Sequence, residues 1–145
     1  MIQKPLEVVL KGGEFRKYSD SKFALLRKNY DMKRAEFEVI YYLSVCRDSD
    51  SLVDISKFLN ANKGHISVTV YGLIEKGYIN SMQDKNDRRY MHFSLTEKGK
   101  KAAADIEKVW KNIKDELYYG LTDDEIAAFK TIFRKICKNI EHFMV

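Results

Sequence analysis

Apolar residues recur along this chain at the spacing of an α-helix almost from end to end, and give way to strand-like alternation in one place. Phe15, Tyr18, Phe23, Leu26 and Tyr30 predict a first helix over about Gly13 to Lys28, which Gly12-Gly13 separates from a short segment around Leu6 to Leu10. Phe37, Ile40, Tyr41 and Val45 predict a second, from about Arg34 to Cys46. Ser51-Leu52-Val53-Asp54 has the form of a capping box, in which the hydroxyl accepts from the third amide and the carboxylate reaches back. A short helix over about Leu52 to Asn60 should follow. Asn62 suits the N-cap of a fourth helix, because Ile66, Val70, Leu73 and Ile74 then share one face and Gly77 ends it in a left-handed conformation.

The alternation lies in Tyr78-Ile79-Asn80-Ser81-Met82 and in Tyr90-Met91-His92-Phe93-Ser94-Leu95, the period of half-buried strands. Between them Asp84-Lys85-Asn86-Asp87-Arg88-Arg89 places three cations at a hairpin tip, with Asn86-Asp87 as suitable turn residues. Alone, such a tip reads equally well as an idle solvated loop. Its neighbours decide the matter: two short helices with a tight connection, followed at once by a cationic hairpin, make a helix-turn-helix with a wing. Leu95-Thr96-Glu97 then begins a long helix to about Tyr119, with Ile106, Val109, Trp110, Ile113 and Leu117 on its apolar side. Thr122 and Glu125 form a second capping box, with Leu121 and Ile126 as its hydrophobic staple. The last helix carries a broad stripe of Ile126, Phe129, Ile132, Phe133, Ile136, Ile140, Phe143 and Met144. Such a stripe either completes the core or meets the same helix of a second subunit, and with so small a winged domain to cover the second reading is preferred. The predicted fold class is mainly α with a small β-hairpin wing.

Composition narrows the function. With 145 residues, 45% hydrophobic and 12% aromatic, the chain can bury one sizeable core as a single domain. A net charge of +5 fits an anionic partner without demanding one. Cys46 and Cys137 lack CxxC spacing and sit in apolar helical patterns, which predicts two buried, reduced thiols of a cytosolic protein in preference to a disulfide or redox switch. The start has no signal-peptide anatomy, and no apolar run approaches the ~18 residues of a membrane span, so a cytoplasmic protein is expected. His65, His92 and His142 lie on three different elements, without metal-ligand spacing; His65 suits a phosphate or base contact or an exposed cap position, and His92 and His142 suit ordinary surface positions. No phosphate-binding glycine loop occurs, and the carboxylates mostly pair with lysines at helical spacing. The reading is of a non-enzyme with no cofactor and no metal.

The chain resembles the MarR family of winged-helix transcriptional regulators from about Tyr30 to Ile140. The resemblance is carried by Leu73-Ile74-Glu75-Lys76-Gly77-Tyr78-Ile79, by Asp84-x-x-Asp87-Arg88-Arg89 and by Leu95-Thr96-Glu97-Lys98-Gly99. Each piece is short, and their order and spacing give the specificity. What the resemblance implies is a homodimer, with dimerisation helices over about 1–33 and 118–145, a winged helix-turn-helix over about 34–99 and a long connecting helix over about 97–119. Its two winged domains would address successive turns of double-stranded DNA, most simply as a repressor. Arg89 matches the wing arginine that enters the minor groove and Asp87 the carboxylate that orients it, with Arg88 and Lys85 as phosphate contacts. Lys85-Asn86 stand where relatives often carry a wing-tip proline, which predicts a looser wing.

On the fourth helix, Ile66 fixes the buried direction, so Lys63, Gly64, His65, Ser67, Val68 and Tyr71 should face the groove. Val68 stands where many relatives have a polar residue; it cannot bond a base edge but can pack on a thymine methyl, which points to an A·T-leaning operator. Relatives often respond to small aromatic ligands, and Phe15, Tyr30, Phe37, Tyr41 and Trp110 are the candidate pocket here, although aromatics at helical spacing are more often core. A redox sensor at Cys46 lacks a basic partner at helical spacing. The rival from another class is a winged-helix protein-interaction module that does not touch DNA.

Overall fold

Local capping chemistry decides where most of the helices begin and end. In the computed structural model, which describes residues 12–48 and 50–144, six helices and one hairpin follow in the predicted order. The predicted segment around Leu6 to Leu10 lies outside the described residues. Helix α1 (Gly13–Tyr30) has Glu14 in its first turn and Arg27 and Lys28 in its last, each matching the helix dipole, and ends at Asp31 in a left-handed conformation. It therefore runs one half-turn past the expected Lys28. Helix α2 (Arg34–Val45) starts where the Glu36 carboxylate accepts from the Lys33 amide at 2.7 Å, and closes one residue short of Cys46. The same carboxylate receives Lys76 Nζ at 2.8 Å, tying the start of α2 to the end of a later helix.

Helix α3 (Leu52–Leu59) carries the predicted box: the Asp54 amide donates to Ser51 Oγ at 3.2 Å and the Ser51 amide to Asp54 Oδ2 at 3.2 Å. It stops at Asn60, which is left-handed. Helix α4 (Lys63–Glu75) opens on Asn62, whose side-chain oxygen accepts from the Gly64 amide at 2.7 Å. Ile66, Val70 and Leu73 are buried, and so is Thr69, whose hydroxyl is satisfied by the His65 carbonyl at 3.0 Å. Gly77, at φ 83°, turns the chain out of the helix, and the Tyr78 amide reaches back to the Leu73 carbonyl at 2.9 Å.

Strands β1 (Ile79–Gln83) and β2 (Met91–Leu95) pair antiparallel with Ile79 opposite Leu95 and Gln83 opposite Met91. Each begins one residue later than the alternation suggests. Only the base of the hairpin is buried, through Tyr78, Ile79 and Phe93, and Met82 further out is exposed. The base is locked by helix α5 (Glu97–Leu117): the Thr96 amide donates to the Tyr78 carbonyl at 3.0 Å, and Thr96 Oγ1 donates to the Gly77 carbonyl at 2.7 Å while accepting from the Gly99 amide at 3.0 Å. Lys98 lies over the Tyr78 ring at 4.3 Å and donates to the Lys76 carbonyl at 2.8 Å. A Cβ on Gly99 would stand 2.2 Å from the Tyr78 carbonyl oxygen, so this position admits glycine alone without a backbone shift.

The chain divides into two compact units, one through Trp110 and one from Lys111 onward, and α5 passes from the first into the second. The first has a closed core in which Val39, Ile40, Ile55, Val70, Leu73 and Ile106 are essentially inaccessible. In the second, α5 ends at Leu117, two residues before the expected Tyr119, and helix α6 (Asp123–Phe143) begins on the predicted box of Thr122 and Glu125. None of its residues is buried; Phe129, Ile132, Phe133, Ile140 and Phe143 are exposed, with the Phe129 and Phe133 rings stacked at 5.9 Å. Among the described residues no helix is long and apolar enough to cross a membrane.

Candidate nucleic-acid interface

The outward face of α4 follows from the burial of Ile66, Val70 and Leu73 on the other side. Lys63, Gly64, His65, Val68 and Tyr71 are exposed and Ser67 is half-exposed, so the six predicted residues lie on one accessible surface. Val68 is the most prominent apolar group there, at 75% exposure. Tyr71 is joined to the wing: its ring meets the buried Phe93 of β2 edge-on at 6.3 Å, so helix and hairpin share a hydrophobic contact.

At the wing tip, Asp87 and Arg89 are brought together as a two-point pair. Arg89 Nε donates to Asp87 Oδ1 at 3.0 Å and Nη2 to Oδ2 at 2.8 Å, and the Arg89 amide adds a bond to Oδ1 at 3.0 Å. The guanidinium hydrogen bond holds the Asp87 carboxyl below its ordinary range, and the carboxylate in turn raises Arg89. Yet Arg89 is 85% exposed. It is a cation fixed in direction and open to solvent. Lys85 and Arg88 are also exposed on the same turn.

The turn itself is organised by a residue to which the sequence pattern gave no role. Asn86-Asp87 carry the expected turn chemistry, but the organiser is Asp84, whose Oδ2 accepts from the amides of both Asn86 and Asp87 at 2.8 Å. The Asp84 amide donates to the Tyr90 carbonyl at 2.9 Å, and Gln83 Nε2 to the Arg88 carbonyl at 2.8 Å. An aspartate two and three residues before the amides it accepts is an Asx-type signal that is present in the sequence. Lys85-Asn86, which stand in place of a tip proline, lie in a turn tied by these bonds. His92 also departs from expectation. It is no ordinary surface histidine: its Nδ1 lies 2.6 Å from Asp50 Oδ1 and its Nε2 2.7 Å from Asp84 Oδ1. Asp50 is too distant in sequence for any local pattern to announce that pairing.

The candidate pocket residues divide. Phe37, Tyr41 and Trp110 line a cavity of about 220 Å³ together with Phe23, Phe58 and Ile106. Asp20, Arg27, Arg34 and Glu38 add charge to its wall, with Arg34 paired to Asp20 at 3.2 Å and to Glu38 at 2.8 Å. Phe15 and Tyr30 are not in that lining. Phe15 is exposed, and the Tyr30 hydroxyl donates to Asp105 at 2.6 Å, which pushes its pKa up to about 12. Tyr30 thus fastens α1 to α5. Cys46 and Cys137 are free thiols, half-buried rather than buried as expected, and among the described residues no group of His, Cys, Asp or Glu could hold a metal ion.

Comparison with known proteins agrees with this geometry. Residues 32–99 match the family model of the winged helix DNA-binding domain. The HTH-type transcriptional regulator BilQ of Clostridioides difficile is 25% identical over 113 residues, which are 78% of this chain and 71% of that protein. Among solved structures, a MarR protein from Peptoclostridium difficile superposes with a TM-score of 0.79 at 22% identity, covering 98% of this chain and 94% of its own. S. aureus MepR in complex with DNA superposes with a TM-score of 0.78 at 18% identity, covering 94% and 99%. Residues 32–99 thus match a winged helix DNA-binding domain, and a relative that shares the pattern over most of its length is a transcriptional regulator. Over nearly its whole length the fold is that of the MarR protein structure.

Proposed function

We propose that this protein is a homodimeric repressor that occludes a promoter by binding a pseudo-palindromic operator, with half-sites about one helical turn apart. The observation that carries the reading is the Asp87–Arg89 pair. A guanidinium gripped at two points by a carboxylate, yet left exposed, contributes almost nothing to folding; its orientation serves something outside the chain. A narrow A·T minor groove concentrates negative potential and suits that cation. Lys85 and Arg88 contact phosphates beside it. Lys63, Gly64, His65, Ser67, Val68 and Tyr71 face the major groove, with Val68 packing on thymine methyls.

The exposed stripe of α6 supports self-association, since Phe129, Ile132, Phe133, Ile140 and Phe143 would be covered by the same helix of a second copy. In this reading about 1–33 and 118–145 form the dimerisation region, about 97–119 connects it, and about 34–99 is the winged helix-turn-helix of a single MarR-like domain acting in the cytoplasm. The cavity walled by Phe37, Tyr41 and Trp110 is the place for a small aromatic effector that releases DNA.

Fluorescence anisotropy with DNA from upstream of the protein's own gene, across a salt series, tests the central claim. Log affinity should fall steeply with log salt and exceed that for random duplex. A flat salt response would favour a protein-interaction module instead. Exchanging A·T for G·C pairs within the bound site, at fixed salt, tests the operator preference; unchanged affinity would remove it.

A further inference from the structure

His92 is the one wing residue described above whose side chain reaches both the wing turn and the segment between α2 and α3. Its Nε2 faces Asp84, the organiser of the turn, and its Nδ1 faces Asp50. The backbone repeats the second link, because the Phe93 amide donates to the Asp50 carbonyl at 3.1 Å. A carboxylate can only accept, and an imidazole donates from both nitrogens only when it carries its proton. A neutral ring has a single N–H. One of the two contacts would then set a lone pair against a carboxylate oxygen at hydrogen-bond distance, and that contact must open.

We propose that His92, Asp50 and Asp84 form a proton-dependent clasp that fastens the wing turn to the α2–α3 segment, making His92 a positioning residue for Arg89 in DNA binding. The clasp rests on the DNA-binding reading above only for its effect on affinity. The charges acting on the ring are the two carboxylates. Opposite it on β1 stands the uncharged Met82, and Arg47, Lys100 and Glu107 line the same cleft as Asp50. Asp87 acts on Asp84 and is itself paired with Arg89. Asp84 first, then Asp50, raises the His92 pKa above 6.5. A raised folded pKa means that the clasp is complete below that ordinary value and is lost as pH rises through the higher folded one. Asp84, lowered to about 2 chiefly by His92, stays ionised throughout this window.

The test combines an NMR titration of the His92 ring and of the Asn86 and Asp87 amides in the free full chain with anisotropy on the upstream DNA, at fixed ionic strength from about pH 6 to about pH 9. The ring should titrate above its ordinary value and the two amides should follow the same midpoint. Affinity should fall on the order of threefold through that midpoint, a size suited to a half-exposed pair, and His92→Gln should abolish the step. Asp50→Asn, which perturbs packing less, should lower the midpoint and shrink the step. An ordinary ring midpoint, or turn amides that ignore the ring, would overturn the clasp. So would a pH step that survives His92→Gln and disappears in His65→Gln, since that places the titrating group on α4. Loss of DNA binding at every pH with the ring titration intact would overturn the DNA-binding reading and leave the clasp standing.

Discussion

The two ends of the wing are built by different means. At the base, backbone carbonyls of Lys76, Gly77 and Tyr78 are met by Lys98 and Thr96, and Ile79 and Phe93 are sealed in the core. At the tip, exposed side chains do the holding: Asp84 bonds the turn amides and Asp87 grips Arg89. The base is made of buried contacts that hold the fold, and the tip of exposed contacts that set the turn and the direction of its charge. On the proposed function, one hairpin thus separates stability from recognition along its length.

That separation can be broken at several points. The largest effect should come from Gly99→Ala, which drives a Cβ against the Tyr78 carbonyl; chemical denaturation should report a loss of about 3 kcal/mol or a failure to fold. Thr96→Val removes both the bond to Gly77 and the cap of α5, and should cost about 1–2 kcal/mol by the same measurement. Arg89→Ala should leave the denaturation midpoint in place while weakening operator affinity by roughly ten- to a hundredfold. Asp87→Asn, which keeps the cation but relaxes its aim, should weaken binding less than Arg89→Ala. The smallest change belongs to Lys85→Ala, which should shallow the slope of log affinity against log salt by about 1 and do little else. If Arg89→Ala destabilised the fold as much as Thr96→Val, the division between base and tip would fail. Equal small effects on affinity from Arg89→Ala and Lys85→Ala would sink the separate roles given to them.

Most of this architecture is legible in the chain because its signals are local. A capping box needs residues three apart, and both predicted boxes, Ser51 with Asp54 and Thr122 with Glu125, are present. Gly77 at the end of α4 is likewise a single-residue signal for a positive φ. The outward face of α4 follows from one buried isoleucine and a helical period. What escaped is what depends on distance. Asp50 and His92 meet across the fold, the Tyr30 hydroxyl finds Asp105, and Phe58 joins the cavity wall, none of which has a periodic signature. The strand offsets and the shorter α5 are boundary effects, where a residue's pattern and its hydrogen bonds need not agree.

The aromatic wall of the cavity has an optical consequence. Trp110 is the single tryptophan among the 145 residues, and it sits in that wall with the Phe23 ring at 5.2 Å and the Tyr41 ring at 5.9 Å. Its fluorescence therefore has one origin, with no second indole to dilute it. A guest entering the cavity would change the polarity and the quenchers around that indole, so the unlabelled protein carries its own gauge of occupancy. Screening compounds against that emission would need neither operator DNA nor a partner protein.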